Sequence, residues 1–354
     1  MKIAFIRESE IKELNPDIIE TKALGATESC FIHLAQKLSL YHQVKVFCPC
    51  SEQKTYIKDN AVVEFIPLST ELNLSLYVHG FSPDIIIVVA NPNYLFCPFL
   101  RDFKKIFWQQ NHPLELDKNQ RFVHEASFIE NRPFTIVMSS HEAKKYAQNH
   151  YQNPYIHGIY NGVRDAFFER LSVEKIKNKI IFVGSLVPAK GILELLKAIN
   201  TLNQYEFNIC GSFDMYGYSI PIYKDACNMY KGSHIKYLGG LSAKELIYHM
   251  ASAELCIVNP IVGNLETCCV SALESMSVGT PVIAGGKSII ESIITHGGLI
   301  HKGNLVDIIN KLMENPEKRK ELSESGKRWT QQNVSYDKII PQWLSFLDKI
   351  IHND

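Results

Sequence analysis

"KIIFVGSLVPAKGILELLKAINTLNQYEFNICG", residues 179–211, runs from one apolar stretch to another through a helical one. "KIIFVG" is apolar at successive positions, so the strand it predicts is covered on both faces. Gly184 permits a tight turn, Lys190-Gly191 precedes a helix over 191–201, and "EFNICG" follows as a second buried strand. Strand, crossover helix and strand are the repeating unit of a parallel sheet with helices on its faces.

The same alternation continues outward in both directions. Downstream come "IKYLG", a helix over 242–251, "ELCIV", a helix from about 268, and "PVIAG". Upstream come "KIAFI", a helix over 26–40, "VKVFC", "VVEFI", "DIIIVVA", "KKIFW" and "FTIVMSS". Two such series predict an α/β protein of two doubly wound, Rossmann-like domains with parallel sheets. The seam is "YNGVRDAFFERLSVEKIKNK", where Asn161-Gly162 marks a turn and the text becomes charged. A linker over 163–177 then joins a first domain at 1–165 to a second at 172–335. From residue 336, Ile340, Trp343, Leu344, Leu347 and Ile351 recur at spacings of three and four, which predicts an amphipathic helix over 336–354.

The chain has 354 residues, 46% hydrophobic and 21% charged, the profile of a folded protein of two ordinary domains. Its formal net charge is zero, which argues against a nucleic-acid partner. "MKIAFIRESE" turns charged too soon for a signal peptide, and the longest apolar run, "IIIVVA", is far short of the roughly 20 residues that cross a bilayer. The expectation is a cytoplasmic protein. Nine cysteines without repeating spacing read as small buried hydrophobes, Cys48 and Cys50 included, since no second Cys/His pair stands at zinc-site spacing nearby.

Ligands of doubly wound domains sit at the carboxyl ends of the strands, and four segments there carry chemistry. In "NLETCCVSALESMSVGTPVIAGG", residues 264–286, Glu266 lies just outside a helix that starts near Thr267 or Cys268. Glu274 is then about two turns in, roughly 10 Å along the axis. Backbone N–H groups of residues 267–270 favour a phosphate, and carboxylates on either side suit paired hydroxyls. The alternative is that Glu266 caps the helix and Glu274 reaches solvent. In "FVGSLVPAKG", Lys190 can reach a phosphate as a point charge, or stand as an ordinary surface residue. In "LGATES", at the end of a long loop, Gly25 allows close approach to the backbone, while Thr27 or Ser29 as a simple helix cap explains the segment equally. In "FWQQNHPLE", His112 follows a strand directly, a position for a ligand contact or for a structural histidine.

Taken together the four segments resemble the retaining nucleotide-sugar glycosyltransferases of family four, which have the two-domain GT-B architecture with an interdomain cleft. The two glutamates with seven residues between them and "ALESMSVGTPVIAG" resemble that family's signature. "FVGSLVPAKG" resembles its donor-phosphate loop, "LGATE" its first glycine-rich loop, "IYNGVRDAFF" its interdomain segment, and the last helix the tail that returns to the first, acceptor-side domain.

The resemblance implies a transferase that takes a sugar from a UDP- or GDP-sugar, with no cofactor. Glu266 would bind hydroxyls of the donor sugar, Glu274 the ribose hydroxyls, and Lys190 the diphosphate. Backbone N–H groups of Thr267, Cys268, Cys269 and Val270 would hold the distal phosphate and sugar, with Gly184 and Ser185 in the phosphate loop. Gly25 would let the first loop close, His112 would contact the sugar, and the loop at Leu238 and Gly239 would receive the base. Ser185 stands where many members have arginine, and Thr267-Cys268-Cys269 where glycine-phenylalanine-glycine is common. The chain has no Asp-x-Asp, so a bridging metal is not expected. The acceptor would be a glycan or a lipid-linked saccharide of cell-surface polysaccharide synthesis. Lys104, Lys105, Lys144 and Lys145 admit a peripheral membrane contact, and equally a solvated face.

Three rival readings are a GT-B epimerase or sugar phosphorylase, a cytosolic sugar-binding protein, and a nicotinamide-dependent dehydrogenase. The last is disfavoured because no glycine-x-glycine-x-x-glycine follows the first strand.

Overall fold

In the computed structural model the described residues are 1–68, 70–110, 135–150, 155–169, 172–214, 221–230, 232–263 and 266–352. The chain divides into two units, one of residues 1–18, 27–162 and 336–354 and one of residues 19–26 and 163–335.

In the first unit the β-branched runs form β1 (Lys2–Ile6), β2 (Gln43–Cys48), β4 (Ala61–Pro67), β5 (Ile85–Val89), β6 (Lys105–Gln109) and β7 (Thr135–Met138), together with β3 (Lys54–Lys58) and β8 (Ile156–Gly158). They stand in the order β3-β4-β2-β1-β5-β6-β7-β8. All neighbours are parallel except β3 with β4. The sequence reading expects parallel strands and passes over β3, because "KTYIK" lies at the edge and exposes most of its side chains. A cue was present: Asp59 and Asn60 both take positive φ, 51° and 67°, as a two-residue type I′ hairpin turn requires.

The Tyr336–His352 helix closes this unit. Its apolar stripe packs inward: Trp343 meets Trp108 edge-on at 5.3 Å between ring centroids, and Phe346 lies 4.8 Å from His157. The Tyr336 hydroxyl donates to the Cys30 carbonyl at 3.3 Å. The long loop after β1 is not wholly irregular, since Pro16–Thr21 forms a short helix within it.

The second unit carries β9 (Lys179–Val183), β10 (Glu206–Cys210), β11 (Ile235–Gly239), β12 (Leu255–Ile257), β13 (Val282–Gly285) and β14 (Gly298–His301), all parallel, in the order β11-β10-β9-β12-β13-β14. The Ile192–Ile199 helix buries Ile192, Leu195, Leu196 and Ile199 against this sheet, the i, i+3, i+4, i+7 pattern of an amphipathic helix.

Residues 163–177 belong to this unit rather than to a free linker. Val163 N–H donates to the Val334 carbonyl at 2.8 Å and Val163 bridges Ser335, so the chain enters and leaves the unit side by side. The division therefore falls after Gly162, ahead of the boundary at 165–172 read from charge. Residues 19–26, assigned by sequence to the first domain, also group here. The Ile19 carbonyl accepts from Arg164 at 3.5 Å, and a Cβ at Gly240 would stand 2.7 Å from that of Ala23. Among the described residues no helix is long and apolar enough to cross a membrane, and all nine cysteines are free, with only Cys50 not buried.

Candidate active site

β9 lies between β10 and β12, so successive strands are added first to one side of it and then to the other. The carboxyl ends of β9 and β12 flank this reversal, which is where doubly wound sheets receive ligands. The loop after β9 carries Lys190 and the loop after β12 carries Glu266, and the two side chains form an ion pair across it. Lys190 closes a 3-10 turn, Pro188–Lys190, and Gly191 (φ +67°) turns the chain into the next helix. A Cβ at Gly191 would come 2.4 Å from Ile261 Cγ1, so only glycine lets the two loops approach so closely.

The loops after β9 and β10 interlock in the same way. Gly184 N–H donates to the Cys210 carbonyl at 3.1 Å, and Leu186 N–H to the Ser212 carbonyl at 3.0 Å. Ser185 is buried between these bonds. At Gly211 (φ +151°) a Cβ would stand 1.9 Å from the Gly184 carbonyl oxygen. Gly211→Ala should therefore lower the unfolding free energy of this unit by about 2 kcal/mol, from backbone strain and overpacking together. A urea titration giving an unchanged midpoint would show that the loops can separate without penalty. At the end of β11, Gly239 (φ +70°) is exposed with open space around its Cα, and its carbonyl accepts from Gly211 N–H at 2.8 Å.

The glutamate helix begins later than the sequence suggests. Cys269 takes φ +52°, a left-handed conformation that an α-helix cannot contain, and the helix runs Val270–Ser277. Thr267, Cys268 and Cys269 are thus loop residues, all buried, and Val270 opens the helix. In its first turn the N–H groups of Ala272 and Leu273 donate to the Cys269 carbonyl at 2.9 and 3.3 Å, so the N–H groups without an intrahelical partner are those of Val270 and Ser271, not of residues 267–270 as a block. Glu274 lies about one turn in, roughly 6 Å from the start, rather than two. Asn259 (φ +41°) sits behind this bend and donates from Nδ2 to Cys269 Sγ at 3.0 Å. Burial pushes the Cys269 thiol up, against the pull of the nearby Lys190 ammonium.

Glu274 is largely buried. Its side chain is 10% exposed, and Arg164 Nη2 donates to its Oε1 at 3.3 Å. Burial pushes its carboxyl above the usual range, against the pull of Arg164. Arg164 is the functional candidate that sequence reading missed, because its partner is 110 positions away and no motif links them.

Of the other expected residues, Gly25 is buried within 19–26, and His112 lies outside the described residues. Two of the four lysines proposed for a membrane face are turned onto the protein. Lys104 Nζ donates to the carbonyls of Ile350 and Ile351, and Lys105 Nζ to that of Leu95.

Residues 163–329, nearly the whole second unit, match the family described as Glycosyl transferases group 1. The uncharacterized glycosyltransferase MJ1178 of Methanocaldococcus jannaschii is 32% identical over 188 residues, 51% of this chain and 50% of the relative. The chain thus spans about half the length of the curated relatives it matches. Among solved structures, a sucrose-phosphate synthase from Thermosynechococcus elongatus superposes with a TM-score of 0.84 at 15% identity, covering 100% of both chains. Anabaena HepE, solved with UDP-glucose, gives 0.79 at 17% identity over 99% of this chain and 100% of its own. At such identities the structural likeness is one of fold. Over residues 163–329 the second unit therefore resembles a glycosyl transferases group 1 domain, and the chain has the GT-B fold of two Rossmann-like domains.

Proposed function

We propose that the chain is a cytoplasmic, metal-independent glycosyltransferase that moves a sugar from a nucleoside-diphosphate sugar to an acceptor with retention of anomeric configuration. The observation that carries this reading is the Lys190–Glu266 pair at the carboxyl ends of β9 and β12, with Glu274 buried on the helix that follows. A UDP-sugar is the preferred donor, in keeping with the UDP-glucose bound to HepE.

In this reading donor binding exchanges partners. Lys190 passes from Glu266 to the diphosphate, where negative charge develops as the glycosidic bond breaks, and Glu266 turns to the hydroxyls of the sugar. The first turn of the Val270–Ser277 helix adds its dipole and N–H groups to the distal phosphate, with the backbone of Thr267, Cys268 and Cys269 beside the sugar. Glu274 accepts from the ribose hydroxyls, Gly184 and Ser185 border the diphosphate, and Gly239 borders the base. Gly25 allows the 19–26 loop to close, and His112 is assigned to the sugar on the resemblance alone. Retention follows if the acceptor attacks from the face the diphosphate leaves, with the leaving phosphate taking the acceptor's proton. This course requires no protein base.

The acceptor is proposed to be a glycan or a lipid-linked saccharide. With Lys104 and Lys105 engaged by carbonyls, membrane contact would rest on Lys144 and Lys145, and liposome flotation without bound protein would remove it. The experiment for the reaction is incubation with a panel of nucleotide sugars, reading released diphosphate and the anomeric configuration of the product by NMR. Isomerised donor without transfer would favour an epimerase, and phosphorolysis a phosphorylase. A cheaper prediction precedes it: UDP or GDP at about 100 times Kd should stabilise the protein by about 2.7 kcal/mol. NAD and free sugars should leave the melting temperature unchanged, and a shift with NAD alone would point to a dehydrogenase.

A further inference from the structure

Arg164 is held at three points. Nη2 donates to Glu274 Oε1 at 3.3 Å, Nη1 to the Ile19 carbonyl at 3.5 Å, and the guanidinium carbon lies 5.0 Å from the ring centroid of Phe167, which is fully buried. Its side chain is 12% exposed. So confined an arginine has little rotamer freedom, and its Nη2 donor anchors one oxygen of the Glu274 carboxylate.

Stability alone is a weak reason for such a pair, because taking both charges out of water offsets much of their attraction. A binding role explains it better. Arg164 uses one carboxylate oxygen, which leaves Oε2 and the remaining lone pairs to accept from a ligand. Two adjacent hydroxyls match that acceptor set, whereas an anion would be repelled by it.

We propose that Arg164 is a positioning residue that presents the Glu274 carboxylate to a vicinal diol, the ribose hydroxyls of the nucleoside diphosphate. This rests on the donor reading above. It adds that recognition of the ribose depends on a residue at the start of the unit, outside the glutamate motif. Burial pushes the Glu274 carboxyl up and Arg164 opposes that shift, so the arginine favours the ionised form, which accepts only. Arg164 thus acts on nucleotide binding through Glu274 and touches neither phosphate nor sugar.

The test compares Kd by calorimetry for UDP and GDP with their 2′,3′-dideoxy counterparts, on wild type, Arg164→Met and Arg164→Lys, from about pH 6 to about pH 8.5. Arg164→Met should weaken the ribonucleotide about tenfold and leave the dideoxy compound unchanged. Its ribonucleotide affinity should climb with pH more steeply than that of wild type, as Glu274 ionises without help. Arg164→Lys should fall between. Equal losses for both compounds, or no loss for either, would overturn the proposal while leaving the donor reading intact. Wild type that binds neither UDP nor GDP would overturn both. Should the methionine variant fail to fold, the ratio of the two affinities in Arg164→Lys decides on the same terms.

Discussion

Lys190→Ala should lower kcat by about 10³-fold and leave the fold intact. A cation at about 4 Å from a developing charge, in the effective dielectric near a protein surface, contributes about 4 kcal/mol, which corresponds to roughly 10³ in rate. The fold should survive because Lys190 closes a 3-10 turn at a half-buried position and is not part of the core. The substitution has a second consequence. Glu266, 16% exposed at its side chain, is ion-paired with this lysine. Without that cation it faces the diphosphate as a like charge. Adding Glu266→Gln to Lys190→Ala should therefore recover nucleotide affinity while turnover stays low. Steady-state rates with calorimetric Kd values for both variants provide the check. Turnover within tenfold of wild type in Lys190→Ala would remove the lysine from the chemistry.

The contrast between Lys190 and Arg164 shows which parts of this site could be read in sequence. Lys190 follows "KIIFVG" and precedes a helix, so local pattern alone places it at a strand's carboxyl end. Glu266 and Glu274 likewise follow "ELCIV" in the same phase as the strand-loop-helix unit. Residues 163–177 resisted because their partners, Val334, Ser335, Ile19 and Glu274, are distant in sequence, and nothing local records a nonlocal bond. The helix start is illegible in the sequence for a different reason. Thr267-Cys268-Cys269 contains no glycine to announce the left-handed turn, and a cysteine adopts it only because burial and the Asn259 bond hold it there. Strand propensity failed only where it is weakest. β8 and β14 have three and four residues, and β3 buries too little to show a pattern. The apolar runs, by contrast, became strands buried nearly throughout, as at Ile85–Val89.

Glu274→Ala should lose nucleotide binding and stability together, and the two losses can be separated. Two hydrogen bonds to a carboxylate contribute about 3 kcal/mol, so Kd for UDP should rise about 100-fold. Arg164 would be left buried without its counter-charge, which lowers the unfolding free energy by about 3 kcal/mol. Removing the orphaned charge as well, in Arg164→Met with Glu274→Ala, should restore part of the stability and none of the affinity. A double variant that binds UDP would exclude Glu274 from the ribose. The pH dependence has a definite sign. Burial raises the carboxyl of Glu274 above its ordinary value of 4.5 despite Arg164, so the folded state holds the proton more tightly than the unfolded one. The ionised group therefore lowers stability above the folded pKa. That penalty shrinks as pH falls through the folded pKa, and it is gone below the unfolded value. Glu274→Gln lacks this dependence, so wild type should gain on it between pH values of about 8 and about 5 in urea titrations. A wild type that instead loses ground on acidification would mean that Arg164 outweighs burial and that the pair is held for stability.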